Sequence, residues 1–186
     1  FSGTFDPGNN APARIIAGDV ALASGSRLKV DLGGPAAGTG FDQIDAAGFG
    51  VRLDGTLSLT RLNNYTPTML VPHQIIGADA IDGTFDLIEG SIQSATLGLA
   101  VTYAEEAVFV TAALPGDANL DGVVALADFA IVASRYNLAG AWIDGNFNGN
   151  ASVELGDFAL LAGNFNAGAA VQPPTLARPA AVPGDG

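Results

Sequence analysis

From Ala13 to Leu114 apolar and polar residues alternate with a period of two. The alternation runs through Asp19 to Ala23, Arg27 to Leu32, Asp42 to Asp45, Val51 to Leu53 and Thr56 to Leu62. It resumes at Met69 to Val71, Gln74 to Ile76, Thr84 to Ile88, Ala95 to Tyr103 and Ala107 to Leu114. Clusters of Gly, Ser, Asn or Pro separate the runs. Successive strand side chains point to opposite faces, so this spacing predicts short strands with one dry face each. No helical spacing lies between them. The pattern predicts a mainly β domain over residues 13–114, a β-sandwich of jelly-roll-like kind, with a β-solenoid as second choice.

The pattern changes after Ala113-Leu114-Pro115-Gly116, where a proline that cannot continue a strand ladder meets a glycine. Beyond it one motif is written twice. In the first copy Asp117, Asn119, Asp121 and Asp128 hold positions 1, 3, 5 and 12 of a twelve-residue window. Gly122 takes position 6 and the Val123 carbonyl position 7. That is the ligand order of an EF-hand calcium loop, in which an all-oxygen cage suits a hard cation. The second copy begins 29 positions later and runs Asn146, Asn148, Asn150, Ser152, Glu154 and Asp157. Its register comes from aligning Leu126-Ala-Asp128-Phe129 with Leu155-Gly-Asp157-Phe158. A register starting at Asp144 puts Leu155 at position 12, and leucine cannot bind calcium.

After each loop the apolar spacing turns helical. Leu126, Phe129, Ala130 and Ala133 form one i, i+3, i+4, i+7 stripe, and Leu155, Phe158, Ala159 and Ala162 another. Two one-sided helices of roughly three turns are expected to pack against each other through these stripes. The result is a small all-α unit over residues 115–168 with two calcium loop-helix repeats.

Gly-Asp-x-Asn-x-Asp-Gly-Val-Val-x-Leu-x-Asp-Phe at residues 116–129, repeated without an entering helix, resembles a type I dockerin. The resemblance covers about fifty residues. It implies two bound Ca²⁺ ions, a cohesin domain as partner, and an extracellular or cell-surface bacterial setting. The sequence departs from the family pattern at several positions. Position 9 of the first loop is Ala125, and Ala151 stands where the second loop would carry Gly. Loop positions 10 and 11, typically small hydroxylated or polar residues in the family, are Leu126-Ala127 and Leu155-Gly156. Three carboxylates occupy ligand positions in the first loop and two in the second, so the first site is expected to be the tighter. The strand-rich part, with Leu28-x-Val30-x-Leu32-Gly-Gly and Leu53-x-Gly55-x-Leu57, resembles regions preceding dockerins in secreted planctomycete-type proteins and the ends of autotransporter-like β-helices.

Composition sharpens this picture. The 186 residues carry 19 acidic and 7 basic side chains, a formal net charge of -12 that argues against nucleic acid or an anionic membrane as partner. No run of about 18 apolar residues is present to span a bilayer. Cysteine is absent, so stability must come from sheet, core and metal. No basic stretch precedes Phe1, and the chain is read as a mature form with any secretion signal removed. Residues 1–12, with Phe1-Ser-Gly-Thr-Phe-Asp6 echoing Gly83-Thr-Phe-Asp86, read either as a first edge strand of their own sheet or as a strand donated to a neighbouring copy. Residues 169–186 are Pro/Ala-rich and read as an extended tail.

The sequence offers no constellation of catalytic groups. The single histidine, His73, sits between apolar runs and reads as a strand or turn residue. Asp42, Asp45, Glu105 and Glu106 read as solvated charges, and Trp142 as a core or clasp residue. Asn64-Tyr-Thr66 is a glycosylation candidate in a turn, although the ordinary Asn-rich turn is the simpler reading. Three function classes remain. The leading expectation is a non-catalytic extracellular structural protein, calcium-stabilised and self-assembling with its own copies, as a filament or matrix, through its termini. The others are a dockerin-bearing module on a cohesin scaffold, and a carbohydrate-binding domain.

Overall fold

The computed structural model describes residues 3–168. The 169–186 tail and the first two residues lie outside this range, and with them the expectation of an extended tail. The chain is mainly β. Eleven strands run in the order β1 (Thr4–Phe5), β2 (Arg14–Ile16), β3 (Val20–Ala21), β4 (Arg27–Leu32), β5 (Gln43–Leu53), β6 (Thr56–Arg61), β7 (Pro72–Gly83), β8 (Leu87–Glu89), β9 (Ile92–Ser94), β10 (Leu97–Tyr103) and β11 (Ala107–Ala113). Two helices come after them, α1 (Leu126–Arg135) and α2 (Leu155–Gly163), with a single 3-10 turn at Trp142–Asp144 between them.

The strands form two sheets. One has the order β1-β4-β6-β8, with every pairing parallel. The other has the order β2-β5-β7-β11-β10-β9, with β3 also on β5. From β4 to β8 the chain alternates between the sheets and returns parallel to itself, stacking Phe5 on Leu28, Leu28 on Leu57 and Leu57 on Ile88. In the second sheet Ile15, Ile44 and Ile76 stack the same way. The winding is therefore that of a short β-solenoid, which corrects the preference for a jelly-roll-like sandwich. Alternation reports which side chains face inward; it does not report whether neighbouring strands run parallel or antiparallel. The antiparallel steps β7-β11, β11-β10 and β10-β9 end the winding.

One core fills the space between the sheets, with Leu28, Leu32, Leu57, Ile76, Leu99 and Val108 at 0% exposure. The alternation at Leu28, Val30 and Leu32 puts these inward and leaves Lys29 and Asp31 on the outer face of the first sheet. Asp42–Asp45, from Gln43 on, and Val51–Leu53, two runs in the sequence, belong to one long β5, which breaks register between Ala46 and Gly50. β1 pairs with β4 of its own sheet, so the N-terminal segment is an edge strand of this chain.

A second core joins the strands to the two helices and their loops. Ala100, Ala113 and Leu114 pack with Val124, Val132, Trp142, Phe147, Val153 and Leu161. Residues 111–118 are all buried, so β11 runs into the first loop without an exposed linker. Trp142 is the clasp: it lies on β10, where a Cβ on Gly98 would come within 2.2 Å of its Cη2. Its ring meets Phe147 edge-on at 5.2 Å, and its Nε1 donates to the Asp117 carbonyl at 2.7 Å. Overpacking of such a contact costs about 1–3 kcal/mol. Gly98→Val is expected to lower the melting temperature by several degrees and to expose Trp142, read as a red-shifted fluorescence; a melt and spectrum equal to the parent would remove the clasp.

Candidate metal-binding loops

The first loop is built around two buried carboxylates. Asp128 lies at the third position of α1 and is fully buried. Its Oδ1 accepts from the Ala118 and Asn119 amides at 2.8 and 3.1 Å, and its Oδ2 from the Ala125 amide at 2.9 Å. One side chain thus ties the loop's start to the helix's start, as a capping box does. Asp117, also fully buried, accepts from the Asp121 and Gly122 amides at 3.1 and 2.9 Å. Gly122 adopts φ 90°, the left-handed region where a Cβ is strained. Asn119 Oδ1 accepts from the Asp121 amide, and Asp121 Oδ1 from the Val123 amide.

The second loop repeats this hydrogen-bond pattern in the register that begins at Asn146. Asp157 Oδ1 accepts from the Phe147 and Asn148 amides at 2.7 and 3.1 Å, and its Oδ2 from the Glu154 amide at 2.9 Å. Asn148 and Asn150 accept from the Asn150 and Ser152 amides, matching Asn119 and Asp121. Position 4 is left-handed in both loops, Leu120 at φ 58° and Gly149 at φ 71°. Asp144, start of the rejected register, instead caps the 3-10 turn through the Ala141 amide and pairs with Arg135 at 3.1 Å.

The loops differ in charge. Asp117, Asn119, Asp121, the Val123 carbonyl and Asp128 offer oxygen alone, with three carboxylates. None of the ion pairs among the described residues involves Asp117, Asp121 or Asp128. Burial, reinforced by Asp128 and Asp121, pushes the Asp117 carboxyl up to about 6. The donor set is oxygen-only in kind, as a hard divalent cation such as Ca²⁺ requires, but the carboxylates of Asp117, Asp121 and Asp128 do not all come within 4.8 Å of one another, and Asp121 is exposed. The second loop carries one carboxylate fewer, and its amide side chains are engaged within the loop, as Asn119 is with Asp121 Oδ2 in the first. Asn146 already accepts from Gly149 and donates to the Gly140 and Asn150 carbonyls, while Glu154 Oε1 accepts from Asn148 and Asn150. Burial pushes the Asp157 carboxyl up as well.

The helix faces are a correction. Leu126, Phe129, Ala130 and Ala133 are all exposed, as are Leu155, Ala159 and Ala162, while Phe158 is half-buried. The buried residues are Asp128 and Val132 in α1, and Asp157 and Leu161 in α2. An aspartate that must turn inward to reach the loop amides fixes the roll of its helix, and the apolar stripe is carried outward. The aromatic parts of the stripes meet, Phe129 against Phe158 at 5.6 Å, and Tyr136 joins Phe158 at 5.7 Å.

Asp42 is a second correction. It is fully buried, its carboxylate accepting from the Ala13 and Asp31 amides at 2.7 and 2.8 Å. Asp45 pairs with Arg14, and Glu105 and Glu106 are exposed. His73 is buried in β7 against Phe41 at 5.0 Å, and burial holds its imidazole below the usual range. Asn64 is exposed in a left-handed turn at φ 55°. Sequence reasoning misses the cluster of Asp6, Asp31 and Asp42 and a cleft of about 580 Å³ between β8, β10 and residues 139–151. Neither has a local signal, because the fold alone brings these segments together. Comparison with protein-family models and with curated proteins finds no match to the chain.

The loops generate two expected outcomes. Asp117 holds its proton more tightly folded, about 6, than unfolded, near 3.8, so the metal-free fold loses stability as pH rises through that window. In chelator, Asp117→Asn should gain melting temperature relative to the parent between those pH values; a pH-independent difference would contradict the assignment. Asp128→Ala strands three backbone amides, two of them only partly buried, at about 1 kcal/mol each. The expected fall is roughly 6–12 °C in a melt, on the basis of about 2–4 °C per kcal/mol, and an unchanged melt would show the carboxylate to be dispensable.

Proposed function

We propose that this chain is a non-catalytic extracellular docking module: a short β-solenoid body carrying two dockerin-like, calcium-stabilised loop-helix repeats whose outer helix face binds a protein partner. The observation that carries the reading is the exposure of Leu126 and Leu155, at 71% and 73%. They are the first residues of the two helices, at equivalent places in the two repeats. With Phe129 at 43% and Tyr136 at 45% they extend an apolar surface of the kind that marks an interaction site. The resemblance to dockerins supplies the partner class, a cohesin-type domain. Bound calcium stabilises the folded loops by mass action, about 2.7 kcal/mol at one hundred times its dissociation constant. The β core fixes the pair of loops from beneath through Trp142.

Self-association is the second reading. It is favoured by the other end of the winding, where an apolar hollow lined by Phe5, Ile15, Val20, Leu22 and Ile44 lies near Ile16, itself 83% exposed.

The test is a binding titration against a panel of cohesin domains in calcium. Binding to at least one is expected, weakened about 100-fold or more by Leu126→Glu with Leu155→Glu, while the melt stays within about 2 °C of the parent because both side chains are exposed. No binding across the panel, or binding indifferent to the two substitutions, would contradict the docking reading.

A further inference from the structure

Outside the two loops an oxygen cluster stands on unrelated residues. Asp6, Asp31 and Asp42 each bring a carboxylate oxygen within 4.8 Å of the others, the only such group of acidic or histidine ligands among the described residues. They arrive from three separate segments: the turn after β1, the outer face of β4, and the residue just before β5. Asp31 and Asp42 are at 0% exposure. Lys29 is the one basic side chain in contact, its Nζ 3.1 Å from Asp6 Oδ2 and 3.4 Å from Asp31 Oδ1. Three carboxylates against one ammonium leave two negative charges without a counter-charge, in a place where burial makes an unpaired charge expensive.

A second observation points to a ligand. Asp31 Oδ1 is the single buried side-chain polar atom among the described residues that has no hydrogen-bond partner. Lys29 Nζ pairs with it as an ion at 3.4 Å but donates its hydrogen bond to Oδ2 of the same carboxylate. Buried carboxylate oxygens are ordinarily satisfied, and one left over inside a group of three acids calls for a cation. We propose that Asp6, Asp31 and Asp42 form a third divalent-cation site, of the Ca²⁺ class, with the Asn10 amide oxygen beside it. Asn10 Oδ1 now accepts from Lys29. All donors are oxygen, and a spread of up to 4.8 Å suits one ion with ligands at about 2.3–2.6 Å. Lys29 then competes with the ion, and entry of the ion moves its ammonium aside.

The site would close the first coil. Asp42 already holds the Ala13 and Asp31 amides, and Asp6 holds the Asn10 amide at 3.1 Å. A shared ion locks the 6–13 segment onto β4 and β5, as the end of a stacked array requires.

The test is calorimetric titration of the full chain with Ca²⁺ alone, together with amide hydrogen exchange. Asp31→Asn should bind one equivalent fewer than the parent. This is read as a difference, so it stands whether the two C-terminal loops take up two ions, one or none. In the parent, Ca²⁺ should slow exchange about tenfold or more at Asn10, Ala13 and Asp31, and should leave those amides unchanged in the variant. Should Asp31→Asn fail to fold, Lys29→Gln decides: it removes the competing ammonium and should tighten one Ca²⁺ equivalent about tenfold. Equal stoichiometry in parent and Asp31→Asn, or parent amides at 10–31 indifferent to Ca²⁺, or Lys29→Gln without tightening, would overturn the site and leave Lys29 as the cluster's only cation.

Discussion

Asp128 and Asp157 set the geometry of the C-terminal third, because each gathers three backbone amides from a loop that has no other partner for them. A buried amide without an acceptor is costly, so each aspartate must point inward. It does so from the third position of its helix, which fixes the rotation of the helix about its own axis. Val132 and Leu161, one turn further on, are thereby buried, and Leu126 and Leu155 are turned outward. The same two side chains give each loop its closed form and α1 and α2 their apolar outer face.

The β body supplies a floor for this arrangement. Parallel coils stack like on like, so each layer of aliphatic side chains buries the next, and the winding needs closure at both ends. At the C-terminal end closure comes from the antiparallel strands, from Trp142 seated on Gly98, and from the second loop, where the Ile88 amide donates to the Gly149 carbonyl at 2.8 Å. That contact satisfies part of β8, the outer strand of its sheet, which would otherwise present unpaired edge groups. At the N-terminal end the carboxylates of Asp6 and Asp42 hold the first turn to the sheet.

How much of this is legible in the sequence depends on the range of the interaction. β4, β6, β10 and β11 fall where the alternation puts them, because inward and outward facing is a local property. The two loops are visible because their oxygens sit at fixed offsets along the chain. The direction of strand pairing is not visible, since a period of two fits parallel and antiparallel neighbours alike. The bulged β5 divides at Gly48 when read from sequence, because a left-handed φ of 85° there belongs locally to a turn. The helix roll is lost because an apolar i, i+3, i+4 stripe and a buried aspartate compete for the same inward face, and hydrogen bonding to the loop decides it. Asp42 looks solvated because its partners, Ala13 and Asp31, are distant in sequence and meet it only in the coil.

The most direct test of the account uses the chain's single tryptophan, whose indole donates to the Asp117 carbonyl and so lies beside the first loop. Terbium, a hard trivalent stand-in for calcium, is added to the metal-free protein and Trp142 is excited. Sensitised terbium emission that calcium displaces and that Asp117→Asn abolishes is the expected result. An absence of sensitised emission from the folded parent, or emission that survives Asp117→Asn, would contradict it.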